Sequence, residues 1–226
     1  MPAERDGHGD RPRGSADGLI EGGDNVILEG IVTTSRDSGD VNISPMGALV
    51  DEGITQFVLR PFRSSTTYHN LKQRGEGVFH VTDDVELLAR AAVDHLESVP
   101  TLRPAHSVRG WILAEACRWY AFRVVSLDDR KERTTVHCEV VESGRVRDFF
   151  GFNRAKHAVL EAAILATRIH LIPAAEIFAE YERLRVIVEK TAGPAERRAF
   201  AFLVGYVRDA VGQPAKQWDT EPWSQL

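Results

Sequence analysis

The feature that most constrains this chain is a change in hydrophobic period at Gly151. Upstream of it, short β-branched and aromatic runs alternate with clusters of Gly, Asp and Ser; downstream, apolar residues recur at helical spacing. Residues 26–34 read as a strand, 35–40 as a turn and 41–46 as the returning strand of a hairpin. Strands continue at 56–60, 78–81, 111–127 and 134–141, the last two forming a long antiparallel pair around a charged tip at 128–132. Between them, a short helix over 68–74 follows a hydroxyl-rich stretch and ends at Gly75, and Asp83 or Asp84 caps a second helix carrying Val85, Leu88, Ala89 and Ala92.

Beyond Gly151, Asn153 caps a helix whose face is Ala155, Val159, Ala162, Ala166 and Ile169, stopping near Pro173. A second shows Ile177, Tyr181, Leu184 and Val188; a third, opened by Pro194, shows Ala199, Phe202, Leu203, Tyr206 and Ala210 before Gly212. The order predicts an α+β chain: a β-rich body over 26–150 and a three-helix appendage over 151–226, preceded by a Gly-rich, charged tail over 1–25 expected to be disordered.

Composition removes several functions. The 33 acidic residues outnumber the 28 basic ones, with no long basic run, so a general nucleic-acid footprint is not expected. No apolar stretch reaches the length of a membrane span, and the first residues are polar, so a soluble, cytoplasmic protein is expected. Cys117 and Cys138 fall in expected strands without metal or redox spacing and read as buried small hydrophobes. His157 and Glu161 share a helix face but have no evident third ligand, so no metal is expected. Hydrolase triads, Gly-rich phosphate loops and paired-carboxylate motifs are also missing from the pattern.

Chemistry concentrates in two segments. Arg60-Pro-Phe-Arg63-Ser64-Ser65-Thr66-Thr67, followed by Asn70, sets four hydroxyls and two guanidiniums at the start of a helix, where unpaired amides and the positive dipole end favour an oxyanion. The plainer alternative is a capped helix with solvated arginines, since a cap needs only one hydroxyl. Asn42-Ile-Ser44-Pro45-Met46-Gly47 is the second segment: Pro45 is expected to interrupt strand pairing and Gly47 to permit close approach, leaving main-chain groups to read a flat heterocycle. An ordinary edge-strand irregularity would look the same.

These two segments, together with residues 26–34, 75–84, Phe152-Asn-Arg-Ala-Lys-His157 and Ala166-Thr-Arg-Ile-His170, resemble the domain-of-unknown-function family 447, placed in the FMN-binding split-barrel, flavin-reductase-like group. The resemblance spans about residues 26–190. It implies an FMN held between two subunits of a homodimer, with Asn42, Ser44, Pro45, Met46 and Gly47 near the isoalloxazine. Arg60, Arg63, Ser64, Ser65, Thr66 and Thr67 would hold the phosphate, with Asn70 nearby. It further suggests that Asn153, Arg154, Lys156 and Arg168 line a cleft with the barrel. The expected function is an FMN-dependent oxidoreductase whose substrate and hydride donor the sequence does not name. The alternatives are a non-catalytic flavin-binding or redox-sensing module, and a partner-docking helical protein with a barrel scaffold.

Overall fold

The structure, a computed structural model, describes residues 26–36 and 38–212; the expected tail over 1–25 and the last residues of the helical segment lie outside them. The elements in order are β1 Val26–Ser35, β2 Val41–Val50, β3 Gln56–Leu59, α1 Thr66–Arg74, β4 Glu76–Val81, α2 Val85–Ala92, β5 Leu102–Pro104, β6 Trp111–Leu113, β7 Arg118–Asp128, β8 Thr135–Arg145, α3 Arg154–Ala166, α4 Ala174–Thr191 and α5 Pro194–Val211. Six strands close a barrel in the order β1-β2-β3-β8-β7-β4, all neighbours antiparallel and β4 pairing back onto β1.

Period-2 alternation decides what each strand faces. Val32, Ala48, Val50, Phe57, Leu59, Phe79, Phe122, Val136 and Cys138 point inward and form the barrel core, with Leu71 of α1 closing one end. Ile31 and Ile43 point outward into a second apolar cluster built from α2, α3, α4 and α5. The helices after Gly151 therefore share one core with α2 and with the outer wall of β1–β2.

Several elements depart from the expected pattern for local reasons. Residues 111–127 are not one strand: a turn over Ala114, Glu115 and Ala116, residues of low β propensity, separates β6 from β7, and Cys117 precedes β7. The proline-containing stretch 97–107 contributes β5, which pairs with β6. α3 stops at Ala166, well before Pro173, because the following residues take three-residue turn bonds such as Arg168 N–H to Leu165 O. α1 starts two residues earlier than expected, with Ser65 as its N-cap, and ends at Gly75 in the left-handed region at φ 64°. Cys117 and Cys138 are both free and buried, and the β7–β8 register sets Cys138 opposite Val124, far along the hairpin from Cys117.

Candidate functional site

The chain leaves the barrel at Arg60 and is pinned there by the far end of the β7–β8 hairpin. Arg63 N–H donates to Glu132 O at 2.9 Å, the Thr134 amide and hydroxyl both donate to Pro61 O at 3.0 and 2.8 Å, and Arg133 Nε donates to Arg60 O at 3.3 Å. The Arg133 guanidinium also lies over the Phe62 ring, 5.6 Å from its centroid. Main-chain bonds thus fix residues 60–63 while the Arg60 and Arg63 side chains stay exposed.

At the entry to α1, Ser65 is fully engaged: its hydroxyl donates to Phe62 O at 2.7 Å and accepts from Tyr68 N–H at 3.2 Å. The first turn holds no acidic residue, and the amides of Thr66 and Thr67 meet no acceptor among the described residues. Ser64 and the Arg60 and Arg63 side chains are exposed and Thr66 is half-buried, next in sequence to two amides without an acceptor among the described residues.

β2 supplies the second half. Along its first part it pairs only with β1, from Asn42 opposite Thr34 to Gly47 opposite Glu29, whereas β3 joins it at Leu49 and Val50 alone. No described strand pairs with the other edge of residues 42–47. This explains why Pro45, expected to interrupt pairing, does not: a strand partnered on one side tolerates a residue without an N–H, and β2 runs through it unbroken. Gly47 is required by close approach, since a Cβ there would meet Ile27 Cγ2 at 2.6 Å and Glu29 Oε1 at 3.0 Å. Ser44, Pro45 and Met46 are half-buried.

A single side chain joins the two segments. Asn42 Nδ2 donates to Thr67 Oγ1 at 3.0 Å and lies 3.4 Å from Thr34 Oγ1, to which Asn70 Nδ2 donates at 2.9 Å. Thr67 and Asn70, both expected as phosphate contacts, are buried and commit their side chains to holding α1 against β1 and β2. They fix the position of the helix start, and Thr67 still presents its amide.

Three neighbours escaped the sequence reading. Thr34 ties Asn42 to Asn70 but looks like any other threonine in a strand. Arg133 reaches residues 60–62 only because β3 pairs with β8, a contact distant in sequence. The Glu29 carboxylate lies across Gly47; lost hydration raises it above the ordinary carboxylate range, the charge of Glu161 on α3 adds to this, and Arg133 opposes it. Of the cleft residues suggested on α3, Asn153 caps the helix and Lys156 binds Asp83 O and Glu196, both structural uses, while Arg154 and Arg168 are exposed. His157 lies parallel to Phe152, and no cluster of three metal-type side chains occurs among the described residues. No described helix is long and apolar enough to cross a membrane.

A family model described as "Protein of unknown function (DUF447) N-terminal domain" matches residues 28–147, and one described as "Protein of unknown function (DUF447)" matches residues 153–205. No curated protein matches. Among solved structures, an FMN-bound DUF447 protein from Methanosarcina mazei superimposes with a TM-score of 0.69 at 22% identity, covering 80% of this chain and 94% of that one. A flavoredoxin from Methanosarcina acetivorans aligns with a TM-score of 0.47 at 13% identity, over 56% of this chain and 74% of that one. An FMN-binding protein from Thermus thermophilus, solved with 1-cyclohex-2-enone, aligns with a TM-score of 0.46 at 13% identity, over 65% and 81%.

Proposed function

Because the chain belongs to the DUF447 family, matched by its N-terminal model over more than half the length, we propose that it is an FMN-binding flavoprotein and an oxidoreductase. The observation that carries this reading is the Asn42–Thr67 hydrogen bond of 3.0 Å, which brings the open edge of β2 beside the start of α1. The FMN-bound state of the Methanosarcina mazei relative, which shares the fold, supports the same cofactor.

In this reading the amides of Thr66 and Thr67, the hydroxyls of Ser64 and Thr66, and the guanidiniums of Arg60 and Arg63 hold the phosphate. Ser65, Thr67 and Asn70 act through position: their side chains are spent on keeping the turn in place. The main chain of Asn42, Ser44, Pro45, Met46 and Gly47 offers its unpaired edge to the isoalloxazine. FMN, when bound, supplies the hydride and electron chemistry; the chain's own part is to orient the ring and exclude water. A homodimer with the flavin at the subunit interface agrees with the exposure of Ile27 and Phe62, large apolar side chains flanking these segments.

Purified protein should be yellow, and mass spectrometry of what it releases on denaturation should identify FMN. Colourless protein whose addition leaves FMN fluorescence unchanged would overturn the assignment. Arg60→Ala and Thr66→Ala should each weaken FMN by about 1–3 kcal/mol, the range for one hydrogen bond to a charged group, as read by fluorescence titration. Bleaching of the bound flavin by a reduced nicotinamide, with turnover on adding an acceptor, separates the oxidoreductase from a sensing module. Light scattering should give about twice the 25.2 kDa chain mass if the subunits pair.

A further inference from the structure

A second concave region lies past the start of β2, where Ser35 pairs with Val41. Beneath the β5–β6 loop is a cavity of about 550 Å³ whose lining includes Ser35, Arg74, Glu76, Arg109, Trp111 and Arg123. Its volume falls within the usual range of small-molecule sites. Its lining brings Arg109 and Arg123 together with Arg74 and the Glu76 carboxylate, in a chain whose net charge is −5.

The rim is built rather than incidental. Ser107 is held at three atoms: the Glu142 carboxylate accepts from its amide and its hydroxyl at 3.2 and 2.6 Å, and Arg123 Nη2 donates to its carbonyl at 2.9 Å. Ala105 N–H closes the loop onto Gly110 O at 2.9 Å. At Gly110 a Cβ would meet Val78 Cγ2 at 3.0 Å, so the loop sits tightly on β4 over a small apolar cluster of its own, Val78, Val108, Ile112, Trp119 and Ala121. A surface loop with a private core and a triply anchored serine is rigid before any ligand arrives, which lowers the ordering cost of binding.

Donors remain unfilled around this rim. Arg109 spends Nε on Glu76 at 2.8 Å and Arg123 spends Nη2 on Ser107, leaving their other guanidinium donors without a partner among the described residues. Ser35 is 4% exposed, yet its hydroxyl has no hydrogen-bond partner among the described residues. On the same strand Thr33 donates to Trp111 O, and Thr34 accepts from Asn70. Leaving a buried hydroxyl unpaired is costly, so the one exception, placed in the cavity lining, points to an acceptor that arrives with a ligand.

We propose that this cavity binds the phosphate or equivalent oxyanion of an organic small molecule, with Arg109, Arg123 and the Ser35 hydroxyl on the anion and half-buried Trp111 providing an apolar wall for the organic part. The site is independent of the flavin reading. Arg74 ends α1, whereas the Arg60–Thr67 segment begins it, and a nine-residue helix separates the two by about 13 Å.

The test is calorimetric titration of the full chain, with FMN in excess, using AMP and inorganic pyrophosphate at constant ionic strength. One saturable site per chain is expected for AMP. Saturation by pyrophosphate as well would show that the oxyanion suffices, and binding of AMP alone that Trp111 is needed; both support the site. Arg109→Gln combined with Arg123→Gln should weaken binding at least tenfold. Ser35→Ala should weaken it severalfold without lowering Tm, because no hydrogen bond is lost on substitution; this variant keeps the test sharp if the double variant misfolds. Arg60→Ala should leave it unchanged. Failure of both probes to saturate, or loss of binding in Arg60→Ala with retention in Ser35→Ala, would overturn the proposal.

Discussion

Between pH 6.5 and 4 the fold is expected to lose about 3 kcal/mol of stability through one imidazole, that of His80. His80 is fully buried on β4 and joins three strands. Leu113 N–H, which can only donate, meets Nε2 at 3.1 Å, so the ring proton belongs on Nδ1, 3.1 Å from the Ile31 carbonyl that accepts it. A second proton on Nε2 would break the bond to Leu113 and place a cation in a dry interior.

Burial lowers the His80 pKa from 6.5 to about 4, the Ile31 carbonyl opposing this more weakly. The unfolded imidazole keeps its ordinary value. In that window the unfolded chain binds more protons than the folded one, so stability rises with pH and falls as pH drops from 6.5 toward 4. A shift of this size corresponds to about 3 kcal/mol at 1.36 kcal/mol per pKa unit. Urea midpoints measured across the range should show the loss. His80→Gln, which can donate to one carbonyl and accept from one amide without titrating, should remove it. Equal slopes in both proteins would sink the assignment.

The sequence was most legible where structure is local. Helical periods were readable in the segments after Gly151, and Gly75, Asn153 and Pro194 marked helix ends because caps depend on a few adjacent residues. It was least legible where pairing is distant. Nothing near Asn42 announces that its amide meets Thr67, and nothing near Pro61 announces Thr134. Hydroxyls that looked equivalent along residues 64–67 divide by helical phase: Ser64 is exposed, Ser65 caps, Thr66 is half-buried and Thr67 is buried. A linear reading counts donors, whereas the fold decides which of them remain available. The unbroken passage of β2 through Pro45 has the same origin, for it depends on where β3 begins to pair.

Asp83→Ala should cost about 3 kcal/mol at neutral pH, the second large effect, because Asp83 links the barrel to the helices. Its carboxylate, 6% exposed, accepts from both terminal nitrogens of Arg147 at 2.5 and 3.1 Å and from the Phe150 amide at 2.7 Å. Its main-chain carbonyl accepts from Lys156 of α3 at 2.7 Å, and Lys156 also pairs with Glu196 of α5 at 2.9 Å. Breaking a buried pair typically costs about 3–5 kcal/mol, and the 36% exposure of the Arg147 side chain sets this one at the lower end. Arg147 holds the carboxyl down to about 2, burial opposing and the Phe150 amide assisting. For a depressed carboxyl the stability is present above its unfolded value, 3.8, and is lost as pH falls toward about 2. That window lies below the one for His80, so Asp83→Asn should shrink the stability loss below about pH 4 and leave the loss above it, while Asp129, Glu142 and Glu196, also held below their ordinary values by their partners, keep part of the lower step. Arg147→Lys keeps the charge but not the two-pronged geometry and should recover part of the loss. Since α2 through α5 share one apolar core with Ile31 and Ile43 of the barrel wall, the weakened junction should still unfold in a single transition. Separate melting of the helical layer in Asp83→Ala, seen as non-coincident circular dichroism and tryptophan fluorescence curves, would show instead that the ion pair, and not the shared core, couples the two parts.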